Sequence, residues 1–289
     1  MIAPLRTLVV HTGGIGDFLL ACPSIEALGR EGPVELLGGR DRLELAVAGG
    51  IAESAHGLER AGFDSVFDAP SQRLRDFLAR FQRVVVWMED AKGDIRRGLE
   101  ACGVANIQIY PGLPPADWSR HASAYYLDCL GAPEGRDVRL SFAPGDTKHD
   151  VIIHPGSGSG TKNWPLEKYT ALAQDLEASG RKVTWCLGPA ELEREPGAFS
   201  RIRHSARRIV TDSLVDLAGH LAAARSYIGN DSGIVHLAAA VGCPTLALFG
   251  PTNPTVWAPR GCRVLSFEES STDTIMKALA NLSDRLSVM

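Results

Sequence analysis

Short apolar runs recur along this chain, separated by longer stretches whose apolar residues fall at helical spacing. The alternation predicts strands joined by helices. In the first half, residues 7–11, 34–37, 64–68, 83–88 and 106–110 read as strands. Residues 17–30 and 121–130 read as helices, with further apolar-patterned stretches near 41–48, 71–81 and 92–101. The segment Tyr110-Pro111-Gly112-Leu113-Pro114-Pro115 interrupts the series, as Pro and Gly clusters do. Residues 131–150 are rich in Gly, Pro and charge around one short predicted strand, 138–142, and a linker is expected at 143–149. A second series follows, with strands at 151–154, 183–187, 208–210, 226–229, 245–249 and 264–267. Its helices fall at 165–179, 213–224, 232–241 and 272–283, the first with Pro165 at its start. Strands separated by helices imply a parallel sheet covered on both faces. The chain therefore reads as α/β, with two Rossmann-like domains at 1–145 and 150–289 and the last helix a candidate to pack back on the first domain. Sites in such folds form beyond the carboxyl ends of strands.

Composition narrows the class. A length of 289 residues fits two domains at ~150 residues each. The net charge of −4 gives no field favouring nucleic acid. No apolar run approaches the roughly 20 residues of a membrane span, and the start Met1-Ile2-Ala3-Pro4-Leu5-Arg6 does not read as a signal peptide. Six scattered cysteines without a C-x-x-C fit reduced thiols in a cytoplasmic protein rather than disulfides or a zinc site.

Three loops carry candidate chemistry, each after a predicted strand. The first is His11-Thr12-Gly13-Gly14-Ile15-Gly16-Asp17. Gly13, Gly14 and Gly16 allow close approach of backbone to a ligand. Asp17 reads either as a helix-capping residue or as a functional carboxylate. Leu19 occupies the third position of a dinucleotide fingerprint, and no Gly-Lys-Ser/Thr follows, so the loop is neither that fingerprint nor a P-loop. The second loop has glycines at 156, 158 and 160, then Lys162, and reads as an anion nest or as a solvated surface loop. Trp164-Pro165 argues for an anchored helix start. The third, Gly229-Asn230-Asp231-Ser232-Gly233, opens a helix whose free N–H groups suit an anion. His236 lies about one turn on, where it either faces the same point or packs in the core.

Taken together, Gly13-Gly14-Ile15-Gly16-Asp17, Lys162-Asn163-Trp164-Pro165, Gly229-Asn230-Asp231-Ser232-Gly233 and Phe249-Gly250-Pro251-Thr252 resemble glycosyltransferase family 9, the heptosyltransferases of lipopolysaccharide core assembly. The resemblance implies a GT-B fold, two facing Rossmann-like domains with an interdomain cleft, acceptor on the N-terminal domain and nucleotide-sugar donor on the C-terminal one. It implies an inverting transfer without a bound metal or other cofactor. Asp17 would be the general base on an acceptor hydroxyl. An ordinary carboxylate is a weak base, so positioning must contribute much of the rate. Lys162 would neutralise the leaving diphosphate, with Ser232 and Gly233 donating hydrogen bonds to it. Asp231 and His236 would contact sugar or phosphate. Glu191 resembles the acidic ribose contact, with Glu193 its rival.

The acceptor side is less marked. Arg40 and Arg42 follow the second strand and could meet an anionic acceptor; Lys92, Arg96 and Arg97 follow another. At 289 residues the chain is short for that family. The leading expectation is heptose transfer from ADP-heptose to a saccharide or lipid-linked acceptor, at the cytoplasmic face of the inner membrane with at most peripheral contact. Rivals are a family member with another nucleotide sugar and acceptor, a nucleotide-sugar-binding protein without activity, and a Rossmann oxidoreductase.

Overall fold

The computed structural model describes residues 4–135, 139–188 and 207–284. The chain divides between Leu140 and Ser141 into two compact units. The first carries five parallel strands: β1 (Thr7–His11), β2 (Val34–Gly38), β3 (Ser54–Gly57), β4 (Arg83–Trp87) and β5 (Asn106–Tyr110). They lie in the order β3-β2-β1-β4-β5. β1 pairs in parallel with both β2 and β4, placing His11 opposite Gly38 on one side and Trp87 on the other. Strand order reverses at β1/β4, the topological switch point where ligands of such sheets bind.

The second unit repeats the design with six strands: β6 (His149–His154), β7 (Val183–Cys186), β8 (Arg208–Ile209), β9 (Ala224–Asn230), β10 (Thr245–Phe249) and β11 (Arg263–Ser266). Their order is β11-β10-β9-β6-β7-β8 and all described pairings are parallel. Its switch point lies between β6 and β9, where His154 pairs with Gly229.

Burial explains why these runs became strands. Every residue of β1, β2 and β4 is buried, the signature of central parallel strands covered on both faces. In the first unit Leu8, Val10, Val84 and Val86 meet Phe63, Leu74, Leu78, Ile95 and Leu99 from the covering helical segments. In the second, Val151, Ile153, Ile228, Leu246 and Leu248 meet Trp164 and, from the helix Leu166–Ala178, Tyr169, Leu172 and Leu176. The last helix, Thr272–Asp284, sends Ile275, Ala278 and Leu279 into that same second core.

Two strand assignments differ from the expectation. Residues 64–68 are not a strand: Phe63–Phe67 is a 3-10 helix that buries Phe63 and Val66. The third strand is instead Ser54–Gly57, a polar edge segment with no apolar alternation. Its fixing points are side chains reaching back to β2. Ser54 and His56, on one face, both bond Glu35, at 3.0 and 2.7 Å, and Arg6 bonds the same carboxylate at 2.5 Å. The second difference is at 139–142, where no strand forms. No helix among the described residues is long and apolar enough to cross a membrane. All six cysteines are free thiols.

Candidate functional site

The three loops all stand at switch-point strand ends. The first follows β1, and the second and third follow β6 and β9, the pair flanking the switch point of the second unit.

In the first unit α1 (Ile15–Gly29) begins immediately after Gly14, which is its N-cap in extended conformation. Asp17 is therefore the third residue of the helix. Its Oδ2 accepts a hydrogen bond from the Gly14 N–H at 3.0 Å, the reciprocal half of a capping box. The capping reading is thus present in the structure, and it engages one carboxylate oxygen. Gly13 is squeezed between neighbours: a Cβ there would lie 2.9 Å from His11 Cε1 and 3.1 Å from Asp17 Cβ. Tyr126, on the helix Ala122–Cys129, stands nearby; burial first, then the Asp17 charge, pushes its phenol pKa up. Its hydroxyl donates to the Gly112 carbonyl at 2.9 Å.

His11 itself received no role from the sequence. Its ring is 1% exposed and packs edge-on against Phe18 and Trp87, with centroids 5.5 and 6.5 Å away. Burial, with the Arg42 charge adding to it, lowers its pKa from 6.5 to about 4, so the ring is neutral near pH 7. The available signal was its position: a polar residue closing an apolar strand directly before a glycine loop.

The basic residues considered for the acceptor fall into different settings. Arg40 is exposed and pairs with Glu44 on its own helix at 2.7 Å. Arg42 folds back over Gly39, with its Nε buried and without a hydrogen-bond partner. Arg97 pairs with Asp94 and donates to the Lys92 carbonyl at 2.8 Å, while Lys92 and Arg96 are exposed. Helix Asp94–Ala101 is capped by Asp90, which accepts from the Ile95 and Arg96 N–H groups at 3.0 and 3.1 Å.

In the second unit a side chain absent from the sequence-based roles organises the loops. Asn230 is fully buried. Its Oδ1 accepts from the Trp164 N–H at 2.9 Å and the Tyr169 hydroxyl at 2.8 Å, and its Nδ2 donates to the Pro155 carbonyl at 2.8 Å. One amide therefore fastens both ends of the 155–164 loop to the end of β9. His154 adds a second tie, its Nδ1–H donating to the Cys186 carbonyl at 3.0 Å. Trp164, 2% exposed, anchors the helix start as its sequence context implied.

This fastening places Lys162. Its Nζ lies 2.8 Å from Asp231 Oδ2, and the same oxygen accepts from the Thr252 hydroxyl at 2.7 Å. Asp231 is 7% exposed and Lys162 34%, so the carboxylate is the buried anchor and the ammonium the exposed group. Next to it the helix Gly233–Ala240 starts at Ser232, with no side chain capping it. Its first N–H groups lack intrahelical partners and carry the positive end of the helix dipole. The Ser232 hydroxyl is buried, as is the Tyr227 phenol nearby. His236 is buried, at 7% exposure. The structure thus brings Lys162, Asp231 and the Gly233 helix start together, with Thr252 as a partner that the sequence had shown only as part of a loop. Glu191 and Glu193 lie outside the described residues. Among the described residues no group of three or more His, Cys, Asp or Glu is arranged to hold a metal ion.

Comparison with known proteins agrees with this architecture. The family model for glycosyltransferase family 9 (heptosyltransferase) matches residues 124–276, more than half of the chain. Lipopolysaccharide heptosyltransferase 1 of Pseudomonas aeruginosa is 32% identical over 159 residues, which are 51% of this chain and 44% of that protein. The matched region is thus less than half the length of that relative. Among solved structures, the ADP-heptose lipopolysaccharide heptosyltransferase II of E. coli superposes with a TM-score of 0.78 at 16% identity, covering 98% of this chain and 100% of that one. E. coli heptosyltransferase WaaC with ADP gives 0.67 at 17% identity over 99% and 100%. The fold is therefore that of the GT-B heptosyltransferases, and the chain belongs to glycosyltransferase family 9.

Proposed function

We propose that this chain transfers heptose from ADP-heptose to a saccharide acceptor of the lipopolysaccharide core, by a single inverting displacement. The observation that carries the donor half is the Lys162 ammonium, held 2.8 Å from the buried Asp231 carboxylate beside the uncapped start of the Gly233–Ala240 helix. An ammonium and a row of free N–H groups form a receptor for a diphosphate. They supply the positive charge that a divalent cation would otherwise bring to the leaving group, so transfer is proposed to proceed without a metal. ADP as the nucleotide rests on the relatives of like fold, one of which is described with ADP.

The acceptor half rests on Asp17. Its Oδ2 is engaged by Gly14, which orients the carboxylate and leaves Oδ1 to take the proton of an acceptor hydroxyl. That hydroxyl oxygen then attacks the anomeric carbon from the face opposite the diphosphate. Arg40 and Arg42 remain proposed contacts for an anionic acceptor, and Gly13, Gly14 and Gly16 the backbone beside it. The reaction is placed at the cytoplasmic face of the inner membrane, with peripheral contact at most.

The cap bond to Gly14 also favours a second reading, in which Asp17 is structural and the protein binds nucleotide sugar without transferring it. Asp17→Asn separates the two, because an asparagine oxygen still accepts from Gly14. The proposed base requires a loss of transfer on the order of 10²–10⁴-fold with ADP affinity unchanged. Transfer surviving in this variant sinks the base assignment. A wild-type protein that binds ADP-heptose but transfers to no core acceptor establishes the binding reading. Thermal-shift comparison of ADP-, UDP-, GDP- and dTDP-sugars tests the donor, since a selective ligand raises apparent stability.

A further inference from the structure

Thr252 belongs to none of the three glycine loops, yet its hydroxyl ends on the carboxylate that holds Lys162. Asp231 Oδ2 accepts from the Lys162 ammonium at 2.8 Å and from the Thr252 hydroxyl at 2.7 Å. One oxygen therefore joins the Lys162 loop, the end of β9 and the loop after β10.

The two donors differ in stiffness. Lys162 is 34% exposed and carries its ammonium on a flexible four-carbon stem, with much rotamer freedom to lose. Thr252 is half-buried, and its short side chain rises from a backbone braced on both sides. Before it, Gly250 lies against the Phe267 ring, where a Cβ would come within 2.5 Å of Cε2. The Phe267 N–H donates to the Phe249 carbonyl at 2.9 Å, which keeps that ring in place. Pro251 has its φ fixed by its own ring. After Thr252, Asn253 caps the short helix Pro254–Trp257, its side-chain oxygen accepting from the Thr255 N–H at 2.9 Å. The hydroxyl is thus presented from a rigid loop. The residue it meets is tied as well, the Asp231 N–H donating to the Leu248 carbonyl at 3.1 Å.

A carboxylate held by a lysine alone turns with that lysine. A second donor at a fixed place sets the plane of the Asp231 carboxylate, and Oδ2 then sets where the ammonium sits. The hydroxyl also gives the buried charge a partner besides the ammonium. When an anion draws on Lys162, Asp231 is not left buried and unpaired, a state that is costly. A valine of the same shape would do neither.

We propose that Thr252 is a positioning residue for the donor, its hydroxyl acting through Asp231 to hold the Lys162 ammonium where the diphosphate binds. The inference rests on the proposed contact of Lys162 with that diphosphate and extends the binding machinery to the loop after β10.

The test measures affinity for ADP and for adenosine in wild type, Thr252→Val, Thr252→Ser, Lys162→Met and the double variant Lys162→Met with Thr252→Val. Thr252→Val is expected to weaken ADP binding about tenfold, the loss of one hydrogen bond to a charged group, and to leave adenosine binding within twofold. Thr252→Ser, which keeps the hydroxyl, is expected to recover most of that loss. Beside Lys162→Met, Thr252→Val is expected to change ADP affinity less than twofold, because the hydroxyl acts through the ammonium. ADP affinity within twofold of wild type in Thr252→Val overturns the inference. Equal losses of ADP and adenosine overturn it too, since they mark a general disturbance of the fold. So does a full tenfold loss that persists beside Lys162→Met. If Thr252→Val does not fold, Thr252→Ala replaces it under the same limits. Lys162→Met that binds ADP as wild type does overturns the diphosphate reading and this inference with it. A weakened Lys162→Met beside an unaffected Thr252→Val overturns the inference alone.

Discussion

The Asn230 side-chain oxygen accepts the Trp164 backbone N–H at 2.9 Å, across 66 residues of sequence. With its bonds to Tyr169 and Pro155, this one amide ties the Lys162 loop to the end of β9, next to Asp231. The Lys162 loop and the start of the Gly233–Ala240 helix are therefore held together by a buried lock.

Replacing that lock is predicted to be costly. Asn230→Ala leaves the Trp164 N–H and the Tyr169 hydroxyl buried without acceptors, a loss of about 2–4 kcal/mol. Asn230→Asp keeps the acceptor but sets a second oxygen against the Pro155 carbonyl, so it is expected to destabilise as well. Urea unfolding measures both, and an unchanged midpoint in Asn230→Ala would refute the lock.

The ion pair of Lys162 with Asp231 and its proposed contact with the donor are separated by a double variant. Lys162→Met is expected to weaken ADP-heptose binding roughly 10- to 100-fold, the loss of one or two charge-assisted hydrogen bonds. It should also lower stability by roughly 1–3 kcal/mol, because Asp231 is left buried with an unpaired charge, discounted for the partial exposure of the lysine. Adding Asp231→Asn should restore the stability and not the affinity. Calorimetric titration alongside thermal unfolding reads the two effects independently.

Glycines of the two loops differ in what they tolerate. Gly13→Ala forces a methyl to 2.9 Å from His11 Cε1 and 3.1 Å from Asp17 Cβ, so the ring or the carboxylate must move. A stability loss of about 1 kcal/mol or more and a fall in transfer are expected. A Cβ on Gly158 meets nothing within 4 Å, so Gly158→Ala should be close to neutral in stability. Equal effects at the two sites would contradict the packing described for the first loop.

Acid sensitivity follows from His11. Its pKa falls from 6.5 in the unfolded chain to about 4 in the fold, so the unfolded state binds the proton first as pH drops. The folded state is at full advantage above pH 6.5 and loses up to about 3 kcal/mol as pH falls from there towards 4. His149, lowered by burial and then by the neighbouring His220, acts in the same direction. Glu35 acts lower on the scale. Burial opposes its charge, but bonds from His56, Arg6 and Ser54 outweigh that and hold its pKa below the usual range, so its contribution disappears only as pH falls through that lowered value. His11→Phe is expected to flatten stability between pH 6.5 and 4. Denaturant midpoints measured across that window check it, and a slope identical to wild type would rule His11 out as the cause.

The sequence by itself determined the two parallel α/β units and the three loops at strand ends. Central strands such as β1 and β4 are buried on both faces, so they must be written as continuous apolar runs, and such runs are visible without coordinates. Glycine before a helix start is equally visible. The edge strand Ser54–Gly57 was not, because its place depends on Glu35, Arg6 and backbone pairing to β2 rather than on its own pattern. Only the tertiary structure decided which polar residues are tied into the loops and which are buried without partners. Asn230 and His11 both end apolar strands and look alike as letters. Folding gives the first partners from the Lys162 loop and the helix after it and leaves the second with none among the described residues, and that difference arises from contacts between segments far apart in the chain.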